Sequence, residues 1–321
     1  MHRLLKVIAL AACTLLAGQA AAQQKSTISI ATGPTGGVYY PMGGGMANIL
    51  TKSVPGLSAT AEATAGSVAN LEFISTAKAD VALTMADATW DAYKGQQKFQ
   101  GKPVAVRALM VLYPNRFHIV ALEGSGINKV ADLKGRRVST GPPRSGTEVL
   151  ANRVLEASGL DPDKDIQRER LTVNESANAL KDRKIEAFFW SGGVPTAAVT
   201  DLAATPGIKI KLVDHSEVVE PLNKKFGPLY VVDTIPAKSY PGQDHDNKIL
   251  TVWNVLVASE NLPDDVAYNI VKTMFDKKED MVRVHAEAKN FDMKYQTNGA
   301  AVIPFHPGAK KYFAEKGVKL Q

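Results

Sequence analysis

Two short segments carry the residue types that could hold a small charged ligand. The first, Ala31-Thr32-Gly33-Pro34-Thr35-Gly36-Gly37-Val38-Tyr39-Tyr40-Pro41, sets three glycines behind a β-branched, alternating run at residues 27–32. Glycine lets a backbone turn sharply and approach a ligand closely, so strand, loop and helix start stand in that order. Met42, Met46, Ile49 and Leu50 fall at i, i+4, i+7 and i+8, one apolar helical stripe, with Pro41 tolerated in its first turn. Unpaired amides and the dipole at that helix end favour a carboxylate or another anion. A glycine-rich turn with no ligand fits the same residues. The spacing of Gly33, Gly36 and Gly37 matches neither GxGxxG nor GxxxxGK(S/T), which argues against a nucleotide.

The second segment, residues 139–148, follows a strand at 137–140 and precedes a stripe of Val149, Val154 and Leu155. Ser145 and Glu148 make the S-x-x-E capping box that marks a helix start. The amides of Gly146 and Thr147, with the Thr147 hydroxyl, could hold a carboxylate, and Arg144 could add a planar two-donor fork. A capped helix whose Arg144 points into water is the plainer alternative. Tyr39 and Tyr40 are either cleft walls with hydroxyl donors or packing aromatics. Trp190, between a buried strand and Gly192-Gly193, is either wall or core. Asp87 reads as a cap for the helix carrying Trp90 and Tyr93 before it reads as a ligand contact.

Strand-like and helix-like segments alternate along the chain, which predicts an α/β fold with mainly parallel strands. Residues 71–84 and 177–190 share one plan, a helix leading into a strand that ends in small or polar residues, one in each of two lobes. Ligands bind at the carboxyl ends of such strands. A β-type run at 104–120, interrupted at Tyr113-Pro114-Asn115, could leave one lobe for the next, and 250–258 could return. Residues 26–116 plus 253–321 then make a discontinuous lobe I, and 117–252 make lobe II. Helices should fill the tail from Pro263, the first carrying Val266, Ile270, Val271 and Met274. Residues 241–247 read as a polar loop.

At the start, His2, Arg3 and Lys6 precede an apolar run at 7–16 and a small-residue site, Ala20-Ala21-Ala22, the pattern of a secretory leader cleaved after Ala22. Export to the periplasm follows as the expectation. Cys13 is the only cysteine and falls in the leader, so neither disulfides nor thiol chemistry are expected. The formal charge of +6 loses two units with Arg3 and Lys6, and no long basic block supports nucleic-acid binding. A secreted hydrolase is the rival class. Against it stand the absence of G-x-S-x-G, H-E-x-x-H and a cysteine nucleophile, and six histidines with none paired at i, i+4. Asp244-His245-Asp246 sits in a polar loop and cannot turn all three side chains to one ion. No enzyme activity, cofactor or metal is expected.

Taken in order, Gly36-Gly37-Val38-Tyr39-Tyr40-Pro41, Thr64-Ala65-Gly66-Ser67-Val68-Ala69-Asn70-Leu71, Tyr113-Pro114, Asp132-Leu133-Lys134-Gly135-Arg136-Arg137-Val138, Ser145-Gly146-Thr147-Glu148, Gly193-Val194-Pro195 and residues 235–243 resemble the TAXI-type solute receptors of TRAP transporters. The match spans nearly the whole chain beyond the leader. The resemblance implies a two-lobed periplasmic binding protein of type II-like build, with a hinge and a central cleft. Such a receptor closes on a glutamate-like amino acid or C5 dicarboxylate and delivers it, as a monomer, to TRAP permease subunits, separate or fused. By position the ligand shell draws on Gly37, Val38 and Tyr39, on Gly66 and Ser67, on Asp87 and on Tyr113. From the other lobe it draws on Ser145, Gly146, Thr147 and Trp190. Met85-Ala86-Asp87 departs from the Q-S-D or Q-N-D that many relatives resemble, and Arg144, not a fixed family feature, would favour a second carboxylate. A ligand-sensing subunit for a membrane signalling protein would bind in the same way.

Overall fold

Alternating β-branched residues open the chain described by the computed structural model, which covers residues 26–297 and 299–320. They form β1 (Ser26–Ala31), and the expected apolar stripe builds α1 (Tyr39–Ser53), burying Met42, Met46, Ile49 and Leu50. β2 (Leu57–Glu62), α2 (Ser67–Ser75), β3 (Val81–Met85) and α3 (Ala86–Lys94) follow, then the 17-residue β4 (Val106–Leu122). The next elements are β5 (Arg137–Ser139), α4 (Gly146–Ala157), β6 (Gln167–Glu169), α5 (Val173–Lys181), β7 (Ala187–Gly192) and α6 (Ala197–Ala203). β8 (Ile210–Leu212), α7 (Val219–Phe226), β9 (Tyr230–Ile235) and the 13-residue β10 (Asn247–Ser259) come after them. Helices α8 (Asp264–Asp276), α9 (Lys278–Val284) and α10 (Pro307–Glu315) close the chain. The leader read from residues 1–22, with its cleavage site, lies outside the described residues. Among those described, no helix is long and apolar enough to cross a membrane.

All ten strands of the described residues join one sheet in the order β2-β1-β3-β10-β4-β7-β5-β6, with β8 on β4 and β9 on β10. The expectation of mainly parallel strands holds only at the two ends of this sheet. There β1 pairs in parallel with β2 and β3, and β5 with β6 and β7. Through the middle the pairing is antiparallel, because β4 and β10 run past each other in opposite directions and every strand paired to either is antiparallel to it. The interruption read at Tyr113-Pro114-Asn115 is a bulge rather than a break: β4 continues through Pro114, which faces Trp253, and sets Leu112 and Tyr113 opposite the single Asn254 of β10. A proline in a strand removes one ladder donor, a loss most easily placed where the register is already broken.

Two buried clusters flank this crossing. The larger holds α1, α2, the first half of β4, α4 and the tail helices. The smaller gathers Val120, Phe188, Trp190, Val199 and Leu202 around α5 and α6. The fold is the two-lobed α/β architecture expected from the sequence.

Candidate functional site

The first turns of three helices meet at one cavity. Gly37, Val38 and Tyr39 bring the start of α1, Gly66 and Ser67 the start of α2, and Ser145, Gly146 and Thr147 the start of α4. Tyr113 from β4, Met85 from the end of β3 and Trp190 from β7 add to the wall.

Local rules put these turns in place. Ser145 Oγ accepts from Glu148 N at 3.0 Å, as a helix cap should. The reciprocal half of the box is displaced by one residue, since Glu148 Oε2 accepts from Arg144 N at 3.1 Å and its other oxygen pairs with Arg168 at 3.3 Å. At α2, Gly66 has φ of 119° and ψ of −153°, a conformation essentially reserved for glycine. The buried Asn70 donates to Thr32 O at 2.6 Å and Leu83 O at 2.8 Å, tying α2 to the ends of β1 and β3. Ser67 Oγ accepts from Met85 N at 3.0 Å. The first amides of α2 and α4 have no carbonyl one turn back to receive them.

The two sides of the cleft touch. Ala69 N donates to Arg144 O at 2.9 Å, and a Cβ on Gly66 would lie 3.7 Å from Ser145 Cα. Trp190 packs so close to Gly37 that a Cβ there would stand 2.7 Å from Cη2 of the indole. The indole N–H donates to Thr196 Oγ1 at 2.9 Å, so Trp190 is both wall and part of the smaller core.

The polar inventory is uncharged: no lining residue is an acid, a base or a histidine. Three lining side chains end in buried polar atoms without a protein partner, namely Tyr113 Oη, Asn115 Oδ1 and Ser191 Oγ. Burial pushes the Tyr39 and Tyr113 phenols well above their usual range, so both stay protonated donors. Tyr39 Oη is already engaged with Asn254 Oδ1. Thr147 Oγ1 lines the cavity and accepts from Ser191 N at 3.3 Å.

Two residues expected in the ligand shell sit elsewhere. Arg144 adopts φ of 66° in its turn, is about half exposed and ion-pairs with Glu72, so its guanidinium lies outside the cavity. Asp87 is fully buried behind the cavity, with Oδ2 3.2 Å from Arg153 Nη1 and accepting from Tyr230 Oη at 3.1 Å. Its Oδ1 accepts from Ala88 N at 2.8 Å within the first turn of α3, while the N-cap position itself falls to Met85. Tyr40, beside Tyr39, is exposed. Asn115, Ser191, Gly192, Gly33, Pro34 and Ala65 also line the cavity and were not among the ligand residues expected from the sequence.

A family model described as the NMT1-like family matches residues 30–317. The chain belongs to the NMT1-like family. Among solved structures it is similar to the alkanesulfonate-binding protein SsuA from Xanthomonas axonopodis pv. citri bound to MOPS. That match has 15% identity and a TM-score of 0.51, covering 90% of this chain and 83% of that one. A putative L-cystine ABC transporter protein from Listeria monocytogenes matches at 17% identity and a TM-score of 0.51, covering 83% and 95%. At such identities the likeness carries the fold, that of the binding proteins in which two lobes face one cleft.

Proposed function

We propose that this member of the NMT1-like family is an extracytoplasmic solute receptor that captures a small organic acid by cleft closure and presents it to a membrane permease. The observation that carries the reading is the uncharged cavity built from the first turns of α1, α2 and α4, with three buried polar atoms left to a guest. Buried polar groups are otherwise nearly always paired, so these three are best accounted for by a ligand. The same inventory speaks for binding over catalysis, because no histidine, cysteine or carboxylate lines the cavity and Ser145 Oγ donates to Pro142 O at 2.7 Å.

In this reading residues 26–116 with 253–321 form one lobe and 117–252 the other, hinged where β4 and β10 cross. The TAXI-like motifs supply the further proposal that the permease is of TRAP type, and the leader that the receptor works in the periplasm. Of the ligands the resemblance implies, the C5 dicarboxylate relied on Arg144, which Glu72 holds outside the cavity. Glutamate-like acids and dicarboxylates therefore enter as probes within the wider class of small organic acids.

A ligand that binds only the folded, closed form must raise the melting temperature and shift the population toward closure. Ligand-stripped, refolded protein is screened against amino acids, 2-hydroxy acids, 2-oxo acids and dicarboxylates by thermal shift, with small-angle scattering on each hit. A concentration-dependent rise together with a smaller radius of gyration is expected. A folded protein that ignores every acid at millimolar concentration would end the receptor reading for this class.

A further inference from the structure

We infer that the cavity selects monocarboxylates bearing a hydrogen-bond donor beside the carboxylate, as in 2-hydroxy or 2-amino acids, and disfavours dicarboxylates. The inference rests on the receptor reading above and goes beyond it by fixing the charge and polarity of the guest.

One end is rich in donors. The first turns of α2 and α4 both line it, and the amides of Ser67, Gly146 and Thr147 have no carbonyl one turn back, so an anion there meets two positive helix ends. That end suits one carboxylate. Helix ends alone would not make a site, but the other end supplies independent evidence in Asn115, 1% exposed, and Tyr113, fully buried. Asn115 Oδ1 and Tyr113 Oη are both unpartnered, and both residues line the cavity.

An unpaired buried carbonyl oxygen demands a donor. A ligand hydroxyl or ammonium can supply one to Asn115 Oδ1, while a carboxylate has none to give and would meet that oxygen with like polarity. Ser191 Oγ, which can donate or accept, tolerates either. A second carboxylate would also find no cation, since Arg144 is paired with Glu72 and the cavity lining carries no base. Leaving a charge desolvated and unpaired is the costliest outcome available in a closed site. Met85 and the Trp190 ring offer the remaining wall as an apolar surface, matched to a short uncharged side chain.

The test is calorimetric titration of the refolded chain with L-lactate, L-alanine, L-2-aminobutyrate, glutarate, 2-oxoglutarate and L-glutamate at fixed ionic strength. At least one monocarboxylate is expected to bind tenfold or more tighter than every dicarboxylate, the order of one charged hydrogen bond. A dicarboxylate binding as tightly as the best monocarboxylate would overturn the selectivity and leave the receptor reading standing. A folded protein binding none of the six would overturn the selectivity, and the wider acid screen above would then decide the receptor reading.

Asn115→Asp separates the two donor types while keeping the shape of the side chain. Binding of an amino acid should survive or strengthen, through ammonium against carboxylate, whereas a hydroxy acid should weaken at least tenfold. Unchanged affinity for both would show that nothing in the ligand faces Asn115 and would overturn the inference. Tyr113→Phe is the second variant, expected to lose about tenfold or more with the fold retained. No loss would count against the inference in the same way.

Discussion

At the level of single residues, the proposed closure depends on glycines that leave room for a partner across the cleft. Trp190 cannot give way easily, because its N–H is held by Thr196 Oγ1, whose own proton goes to Gly193 O at 2.7 Å. Gly37→Ala would drive a methyl into that ring at 2.7 Å while leaving the backbone free, since Gly37 is not in the left-handed region. We expect ligand affinity to fall at least tenfold while the melting temperature of the unliganded protein moves by only a few degrees, read by calorimetry and thermal melts. An unchanged dissociation constant would mean the ring yields. Gly66→Ala differs in kind, because there the φ of 119° is itself strained for any side chain, and a loss of about 1–3 kcal/mol in urea unfolding should accompany the weaker binding. The loops that line the cavity were legible in the sequence because glycine spacing and capping are local signals. Asn115 and Ser191 were not, since a strand residue faces a cleft or a core according to which distant strand pairs with it. Arg144 was misplaced for a related reason: Glu72, far upstream, comes beside it only in the folded chain.

Between elements, the largest concentration of buried charge lies where α3 meets α4 and β9. Arg153 from α4 bridges Asp87 and Asp91 of α3, and its Nη1 donates to Tyr230 Oη of β9 at 2.6 Å. The guanidinium also lies 4.1 Å from the Phe226 ring centre on α7. By the proposed lobe boundaries this cluster spans both lobes, so it joins the surfaces that closure brings together. Removing one member of a buried pair strands the others: Arg153→Met should cost about 3–5 kcal/mol in urea unfolding, with two carboxylates left uncompensated. Replacing the whole charged set, with Asp87→Asn and Asp91→Asn added, should recover most of that loss. A single variant as stable as the parent, or a triple variant no better than the single, would show that the cluster does not hold the elements together. Sequence reading assigned Asp87 to a helix start, and by resemblance to the ligand shell, and left Arg153 unremarked inside an apolar stripe. Helix periodicity reports which face is buried and not which charge is buried with it.

For the molecule as a whole, the buried ionisable groups set how stability responds to acid. His118 is pushed down to about 3 by burial, and His215 to about 4 for the same reason. His118 Nδ1 donates to Arg116 O at 2.9 Å and its Nε2 lies 2.8 Å from Tyr240 Oη, so the neutral ring is fully paired where it is buried. Asp91 acts in the other direction, with burial raising its carboxyl to about 6, and Glu287 is raised by burial as well. The sign follows from counting protons. As pH falls below about 6.5 the unfolded chain protonates both histidines and the folded chain does not, so their contribution to stability, complete above 6.5, is lost toward 4. The folded chain takes up a proton at Asp91 near pH 6 that the unfolded chain does not yet bind, which offsets part of the loss. Two histidine protons against the raised carboxyls leave about one net proton bound by unfolding, a slope of about 1.4 kcal/mol per pH unit, to which His285 and His306, also lowered by burial, add. Chemical unfolding followed from pH 7 to pH 5 should therefore show falling stability. Asp91→Asn should make the decline steeper by removing the offset, and His118→Gln should make it shallower, whatever either does to stability at pH 7. Stability that stays flat or rises toward pH 5 would mean that the histidines do not remain neutral in the folded protein. Its dependence on Asp91 would show whether the raised carboxyl of the α3–α4 cluster is the group that opposes them.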